Sequence, residues 1–244
     1  MKKLMVGIVV ALLMATGISG QAKDISITAG ISLPNFQEIN DKVLIVNDPM
    51  GLLTVTRLDK MSYAYPIELT VMYDLSKNVK LGFKTGYTYV PTAEVNITSP
   101  LVLKYKYTIG MVPVLVGGKY LFQINERIKM GAGLLGGIGL GYFREYGECS
   151  APWNFLFGGL TFCADATFDI DYEIVKNISF VSSVGYRYAR FDNMPRLSSS
   201  IEAELQHTKD LLGYDHYATI KTSYGISALD FSGLTLTAGL KWVL

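Results

Sequence analysis

The stretch Ile128-Lys-Met-Gly-Ala-Gly-Leu-Leu-Gly-Gly-Ile-Gly-Leu-Gly-Tyr142 reads as one long strand. Its even positions (Ile128, Met130, Ala132, Leu134, Gly136, Ile138, Leu140 and Tyr142) are all apolar or glycine. Its odd positions are Lys129, Leu135 and the glycines Gly131, Gly133, Gly137, Gly139 and Gly141. A period of two gives a strand one oily face. The other face is small or polar, the inverse of a soluble core strand flanked by exposed charges. Such a strand suits a barrel whose oily side meets lipid.

Working outward, the same alternation recurs in seven further segments. Ile25, Ile27, Ala29, Ile31 and Leu33 oppose Ser26, Thr28, Gly30 and Ser32. Tyr65, Ile67, Leu69, Val71 and Tyr73 oppose Glu68, Thr70, Met72 and Asp74, and Val79, Leu81, Phe83 and Tyr87 oppose Lys80, Gly82, Lys84, Gly86 and Thr88. Beyond Tyr142, Phe162, Ala164, Ala166, Phe168, Ile170, Tyr172 and Ile174 oppose Cys163, Asp165, Thr167, Asp169, Asp171 and Glu173. Ile178, Phe180, Val184, Tyr186 and Tyr188 make a seventh segment, and Leu234, Leu236, Ala238, Leu240 and Trp242 an eighth. One segment is irregular. Tyr105, Tyr107, Ile109 and Met111 are odd, whereas Val112, Val114, Val116, Tyr120 and Phe122 are even, and the slip beside Pro113 predicts a β-bulge.

Connections alternate in length. Short turns are expected at 76–78, 123–127 and 176–177, and long loops at 34–61, 90–102, 144–160 and 192–229. The expected fold is therefore all-β: an antiparallel transmembrane β-barrel of about eight strands, up-and-down, with short periplasmic turns and long extracellular loops.

Composition agrees. Lys2 and Lys3, the apolar run from Leu4 to Ala15, and small residues at Ser19, Gly20 and Ala22 predict a signal peptide over 1–22, cleaved after Ala22 or Gly20. Residues 23–244 then form one barrel domain, exported to the bacterial outer membrane. Losing Lys2 and Lys3 from 22 basic residues leaves near balance with 21 acidic ones, which points away from nucleic acid. The 24 glycines and 16 tyrosines suit a barrel with aromatic girdles. No segment of the mature chain offers the ~20 continuous apolar residues of a membrane helix. Cys149 and Cys163 stand near one expected loop; a disulfide and two free thiols are both open readings in an exported chain.

The run Met111-Val-Pro-Val-Leu-Val-Gly-Gly-Lys-Tyr-Leu-Phe122, a short turn and Met130-Gly-Ala-Gly-Leu-Leu-Gly-Gly-Ile-Gly-Leu-Gly-Tyr142 resemble a central hairpin of small outer-membrane β-barrel proteins. The group meant is the broad OmpA/OmpW-like one that includes opacity-type surface proteins. Asp230-Phe-Ser-Gly-Leu-Thr-Leu-Thr-Ala-Gly-Leu-Lys-Trp242 is similar to their closing strand. The resemblance covers essentially the whole mature chain, and its motifs report fold and not activity. It implies outer-membrane lipid and the barrel-assembly machinery as partners. Family members usually end in an aromatic read by that machinery; here Trp242 is third from the end and Leu244 is last.

With oily faces outward, the lumen collects Lys80, Lys84, Lys119, Lys129, Arg187 and Lys241 together with Glu68, Asp74, Asp165, Asp169, Asp171 and Glu173. An eight-stranded barrel is only wide enough for side chains to fill it. Charges confined there must pair, so a salt-bridged plug is expected. A cation site on Asp165, Asp169, Asp171 and Glu173 is the alternative. Gly30 of the first segment and Gly131, Gly133, Gly137, Gly139 and Gly141 of the fifth lie on opposite walls and would frame a lumenal cavity. The competing reading has long side chains from neighbouring strands filling that space.

No enzyme is expected. Hydrolytic chemistry needs a base within hydrogen-bond reach of a nucleophile, and the two histidines, His207 and His216, fall in the last loop, beside Asp210 and Asp215 and off every expected strand. No cofactor or metal is expected. The expected role is structural or adhesion-type, with host or matrix ligands held by the four long loops. Binding or passage of a small hydrophobic molecule, implied by the OmpW-like resemblance, is the alternative, and a lipid-modifying enzyme comes third.

Overall fold

Eight strands close on one another by antiparallel hydrogen bonding. The computed structural model describes residues 24–37, 40, 54–56, 61–98, 103–148, 153–192, 194–199 and 228–244. Its elements are β1 (Asp24–Pro34), β2 (Thr54–Thr56), β3 (Tyr65–Asp74), β4 (Val79–Thr98), β5 (Leu103–Gln123), β6 (Ile128–Glu148), β7 (Trp153–Val175), β8 (Ile178–Asp192), β9 (Arg196–Ser199), β10 (Ala228–Asp230) and β11 (Gly233–Val243). Each of β1, β3–β8 and β11 pairs with the next, and β11 returns to β1 with Asp24 opposite Val243 and Pro34 opposite Gly233. Closure removes the exposed edges that an open sheet would present. The leader, Cys149, His207 and His216 lie outside the described residues.

Three connections at the end carrying β1's Asp24 are tight turns. Leu75 N donates to Val79 O at 2.9 Å, and Ile124 N to Ile128 O at 3.0 Å. Asn125 Oδ1 accepts from Arg127 N and Ile128 N, an Asx turn that lets these residues bend the chain. Between β7 and β8 only Lys176 and Asn177 remain, and Asn177 adopts φ 70°. Asparagine tolerates that left-handed conformation.

The opposite end departs from expectation. Residues 90–102 and 144–160, expected as loops, are mostly strand: β4 and β5 are separated only by 99–102, and β6 and β7 only by 149–152. β4 to β7 run 20–23 residues, against 10–15 for the other barrel strands. A membrane crossing takes about 9–11. One side of the barrel wall therefore stands roughly twice as tall as the other, as a raised four-stranded sheet. Its edges are paired: β2 adds to β4 through Thr54 opposite Thr98, and β9 adds to β7 through Phe155 opposite Ser199.

The bulge expected at Pro113 is absent. β5 keeps one register against β6 from Lys104–Glu148 to Gln123–Lys129, and its odd residues from Tyr107 to Leu115 are all buried in the lumen. Proline cannot donate to the ladder; its carbonyl oxygen accepts from the Thr85 hydroxyl at 2.9 Å. The register shift instead falls between Val90 and Ala93 on β4, around Pro91.

Outside, every barrel strand contributes to one apolar band. Leu134 and Leu160 are each 68% exposed, and Ile27, Ile67, Leu81, Val116, Val184 and Leu236 are exposed beside them. Such a belt is far larger than the few hundred Å² that water-soluble surfaces tolerate, and it is the surface a bilayer covers. Tyr120, Phe122 and Tyr172 mark the turn end of the band, and Tyr63, Tyr65, Tyr186 and Tyr188 the opposite end. These are aromatic girdles of the kind found at bilayer interfaces.

Candidate functional site

The inward faces bring the lumenal charges into two layers. Near the turn end, Lys80 Nζ lies 2.6 Å from Asp24 Oδ2 and 2.9 Å from Asp74 Oδ1. Lys241 pairs with Asp171 and lies 4.0 Å from Asp24. Lys119 Nζ sits 2.5 Å from Asp169 Oδ2, an ion pair by distance whose angle makes no hydrogen bond. Asp74 is partly open to solvent, whereas Asp24, Asp169 and Asp171 are buried.

Deeper in, Arg187 organises the second layer and is only 2% exposed. Its Nε and Nη2 each donate to Asp165 at 2.7 Å, a bidentate fork. Nη2 also donates to Glu68 Oε1 at 2.5 Å, and Nη1 to Thr88 Oγ1 at 3.2 Å. Lys84 Nζ completes the square, 3.1 Å from Asp165 Oδ2 and 3.2 Å from Glu68 Oε2. Two cations and two anions leave the cluster neutral. That balance matters because an unpaired charge there would cost several kcal/mol. The space left beside it has a volume of about 10 Å³, room for about one water.

Above this layer the lumen turns apolar. Leu115, Leu135, Cys163, Met111, Ile109, Phe143, Phe191 and Phe231 are all buried in one cluster, with Phe36 entering from the segment after β1. Phe231 meets Phe36 edge-on at a centroid distance of 5.4 Å and Phe191 at 6.0 Å. Asn40 and Met61 exchange two hydrogen bonds, Asn40 Nδ2 to Met61 O at 2.9 Å and Met61 N to Asn40 Oδ1 at 3.1 Å. That clip holds the ends of the intervening connection together above Phe36.

The glycine face of β6 is what admits these side chains, and among the described residues it frames no lumenal cavity. A Cβ on Gly131 would stand 3.0 Å from Lys119 Cδ, so the absent side chain is the passage by which Lys119 crosses β6 to reach Asp169 on β7. A Cβ on Gly141 would stand 2.6 Å from Phe191 Cζ, and one on Gly139 3.4 Å from the same atom. Gly133 faces Thr167 Oγ1 at 3.0 Å. Gly137 lies against the Val114 and Leu115 backbone, and Gly30 against the Leu236 and Thr237 backbone. Neighbouring side chains and close strand packing use up the volume.

Two of the charges singled out in the sequence stand apart. Lys129 is opposite Asp171 in register, yet Asp171 pairs with Lys241. Lys129 and Glu173, both half-buried near the turn end, make no ion pair among the described residues. Thr88, on the inward face of its segment, belongs to the network, and so does Asp24, which shares the inward parity of its strand without standing in the expected charge set. Among the described residues no group of three or more His, Cys, Asp or Glu side chains could hold a metal. Asp165, Asp169 and Asp171, three of the four carboxylates that would have formed a cation site, face lysine or arginine instead. Cys163 is a free thiol buried in the apolar layer.

No protein-family model and no curated protein matches the chain. Among solved structures it is similar to the outer membrane protein OprG from Pseudomonas aeruginosa, at 12% identity and a TM-score of 0.43, covering 92% of this chain and 97% of that one. It is also similar to Ail, the attachment invasion locus protein of Yersinia pestis, solved with the heparin analogue sucrose octasulfate: 13% identity, TM-score 0.40, covering 91% and 100%. A third is the outer membrane protease OmpT from Escherichia coli, at 11% identity and a TM-score of 0.40, covering 93% and 98%.

Proposed function

We propose that this protein is a sealed outer-membrane barrel that works through the surface it raises outside the bilayer, in a structural or attachment role toward host or matrix components. One observation carries the reading. The lumen is closed twice, by the Arg187 cluster and by the phenylalanine plug, while β4 to β7 continue well beyond the apolar band. What can meet a partner is therefore the raised sheet and the connections around it, and rigid scaffolds commonly bind through such segments. Passage of a small hydrophobic molecule is disfavoured, because Phe191, Met111 and Leu115 occupy the space it would need.

Protease shaving of intact cells tests the proposal. Cells producing the protein should adhere to immobilised matrix proteins and lose that adhesion once the projecting segments are cut. Equal adhesion before and after complete cleavage of those segments would overturn it.

A further inference from the structure

We propose that Arg144 seats a phosphate of a phosphorylated outer-leaflet glycolipid against the outward face of β6; this rests on the outer-membrane reading above. Arg144 lies two residues beyond Tyr142 on the same face, about 7 Å further along the strand, and is exposed. The face below it, Tyr142, Leu140 and Ile138, belongs to the apolar band and suits acyl chains. Tyr142 leans over Gly110, whose added Cβ would stand 2.6 Å from its ring, and its hydroxyl meets that of Tyr87. That places two phenol groups at the level where lipid headgroups begin.

The guanidinium is held for this task. Arg144 Nε donates to Asn154 Oδ1 at 2.9 Å across the β6–β7 pair, which fixes its plane and leaves the Nη1–Nη2 edge without a partner among the described residues. Asn154 is neutral, so this contact leaves the positive charge of Arg144 in place. Arg190 differs: its Nε is taken by the carboxylate of Asp192 at 3.0 Å. The neighbouring acid Glu145 faces inward and is buried. Lys106 stands diagonally on β5, since Thr108 is opposite Arg144 and Lys106 opposite Tyr146. An oriented guanidinium edge matches a phosphate bidentately, and an ammonium cannot reproduce that geometry. A continuous strand holds it at headgroup level.

The test uses the full chain folded in dodecyl maltoside, titrated with bis-phosphorylated lipid A, with the same lipid stripped of phosphate, with phosphatidylglycerol and with inorganic phosphate. Arg144→Ala should weaken lipid A binding by about fivefold or more, and Arg144→Lys should restore only part of it. Stripped lipid A should bind wild type and Arg144→Ala alike. Unchanged heat-modifiable mobility on gels shows that the variants are folded. Equal lipid A binding by wild type and Arg144→Ala, with the protein still in the outer-membrane fraction, would overturn this proposal alone. So would displacement by millimolar inorganic phosphate, which indicates a free-anion site, or equally tight phosphatidylglycerol, which removes the preference for glycolipid. Recovery of the protein in another fraction would overturn the outer-membrane reading itself.

Discussion

Arg187 on β8 and Asp165 on β7 stand side by side on the inner wall of the barrel as a bidentate pair, Nε to Oδ1 and Nη2 to Oδ2, each at 2.7 Å. The two residues are also direct partners in strand register. Register thus fixes the pair before side chains choose rotamers. Glu68 and Lys84 then close the square from the far side.

The first prediction concerns this pair. Arg187→Ala leaves Asp165 and Glu68 buried beside a single lysine and should cost about 3–5 kcal/mol. The double variant Arg187→Leu with Asp165→Leu leaves the neutral Lys84–Glu68 pair and should recover most of that loss. Urea unfolding followed by the heat-modifiable gel shift measures both. A double variant as unstable as the single one would show that the ionic pairing is not what matters.

The second concerns the glycine face. Gly141→Val places a methyl-bearing carbon against the Phe191 ring and should destabilise by about 1–3 kcal/mol. Phe191→Ala removes a buried ring and should cost about 3–5 kcal/mol. Because the two positions touch, the double variant should lose less than the sum of the singles. Thermal unfolding of the three variants gives the coupling, and strict additivity would deny the contact.

The third concerns Cys163. In a Cys149→Ser background, a bulky maleimide should leave the folded protein unmodified and label it stoichiometrically in denaturant. The unsubstituted chain should also migrate identically with and without reductant. A mobility change under reduction would reveal the disulfide that the free, buried Cys163 argues against.

Much of the barrel was legible in the sequence, because a period of two with one apolar face admits few alternatives. All eight segments are strands, and the turn at Asn177 falls where a two-residue connection must bend. What misled was the rule that apolar means lipid-facing. Tyr107, Ile109 and Met111 are odd and apolar, and a parity slip at Pro113 would have turned them outward. They face inward and begin the plug. The same signal was present at Leu135, Phe143 and Phe191, apolar residues on inward parity, where it announces an apolar layer inside the barrel.

The glycines were misleading for a different reason. Seen alone, Gly131, Gly139 and Gly141 are missing volume. Which side chain enters that volume depends on pairings between distant segments: Lys119 arrives over one neighbouring strand, and Phe191 from two strands away. The raised sheet was hidden because 90–102 and 144–160 lose the lipid-facing alternation once the strands leave the bilayer, although their hydrogen-bond pairing continues.

The central claim is that the lumen is sealed, and single-channel recording of the purified protein in a planar bilayer tests it most directly. The predicted result is a baseline current with no discrete openings across the voltages a bilayer withstands. Phe36→Ala, Phe191→Ala and Phe231→Ala combined should leave that baseline unchanged, because the Arg187 cluster still closes the barrel beneath them. Reproducible unitary conductance steps from the wild-type protein would contradict the account.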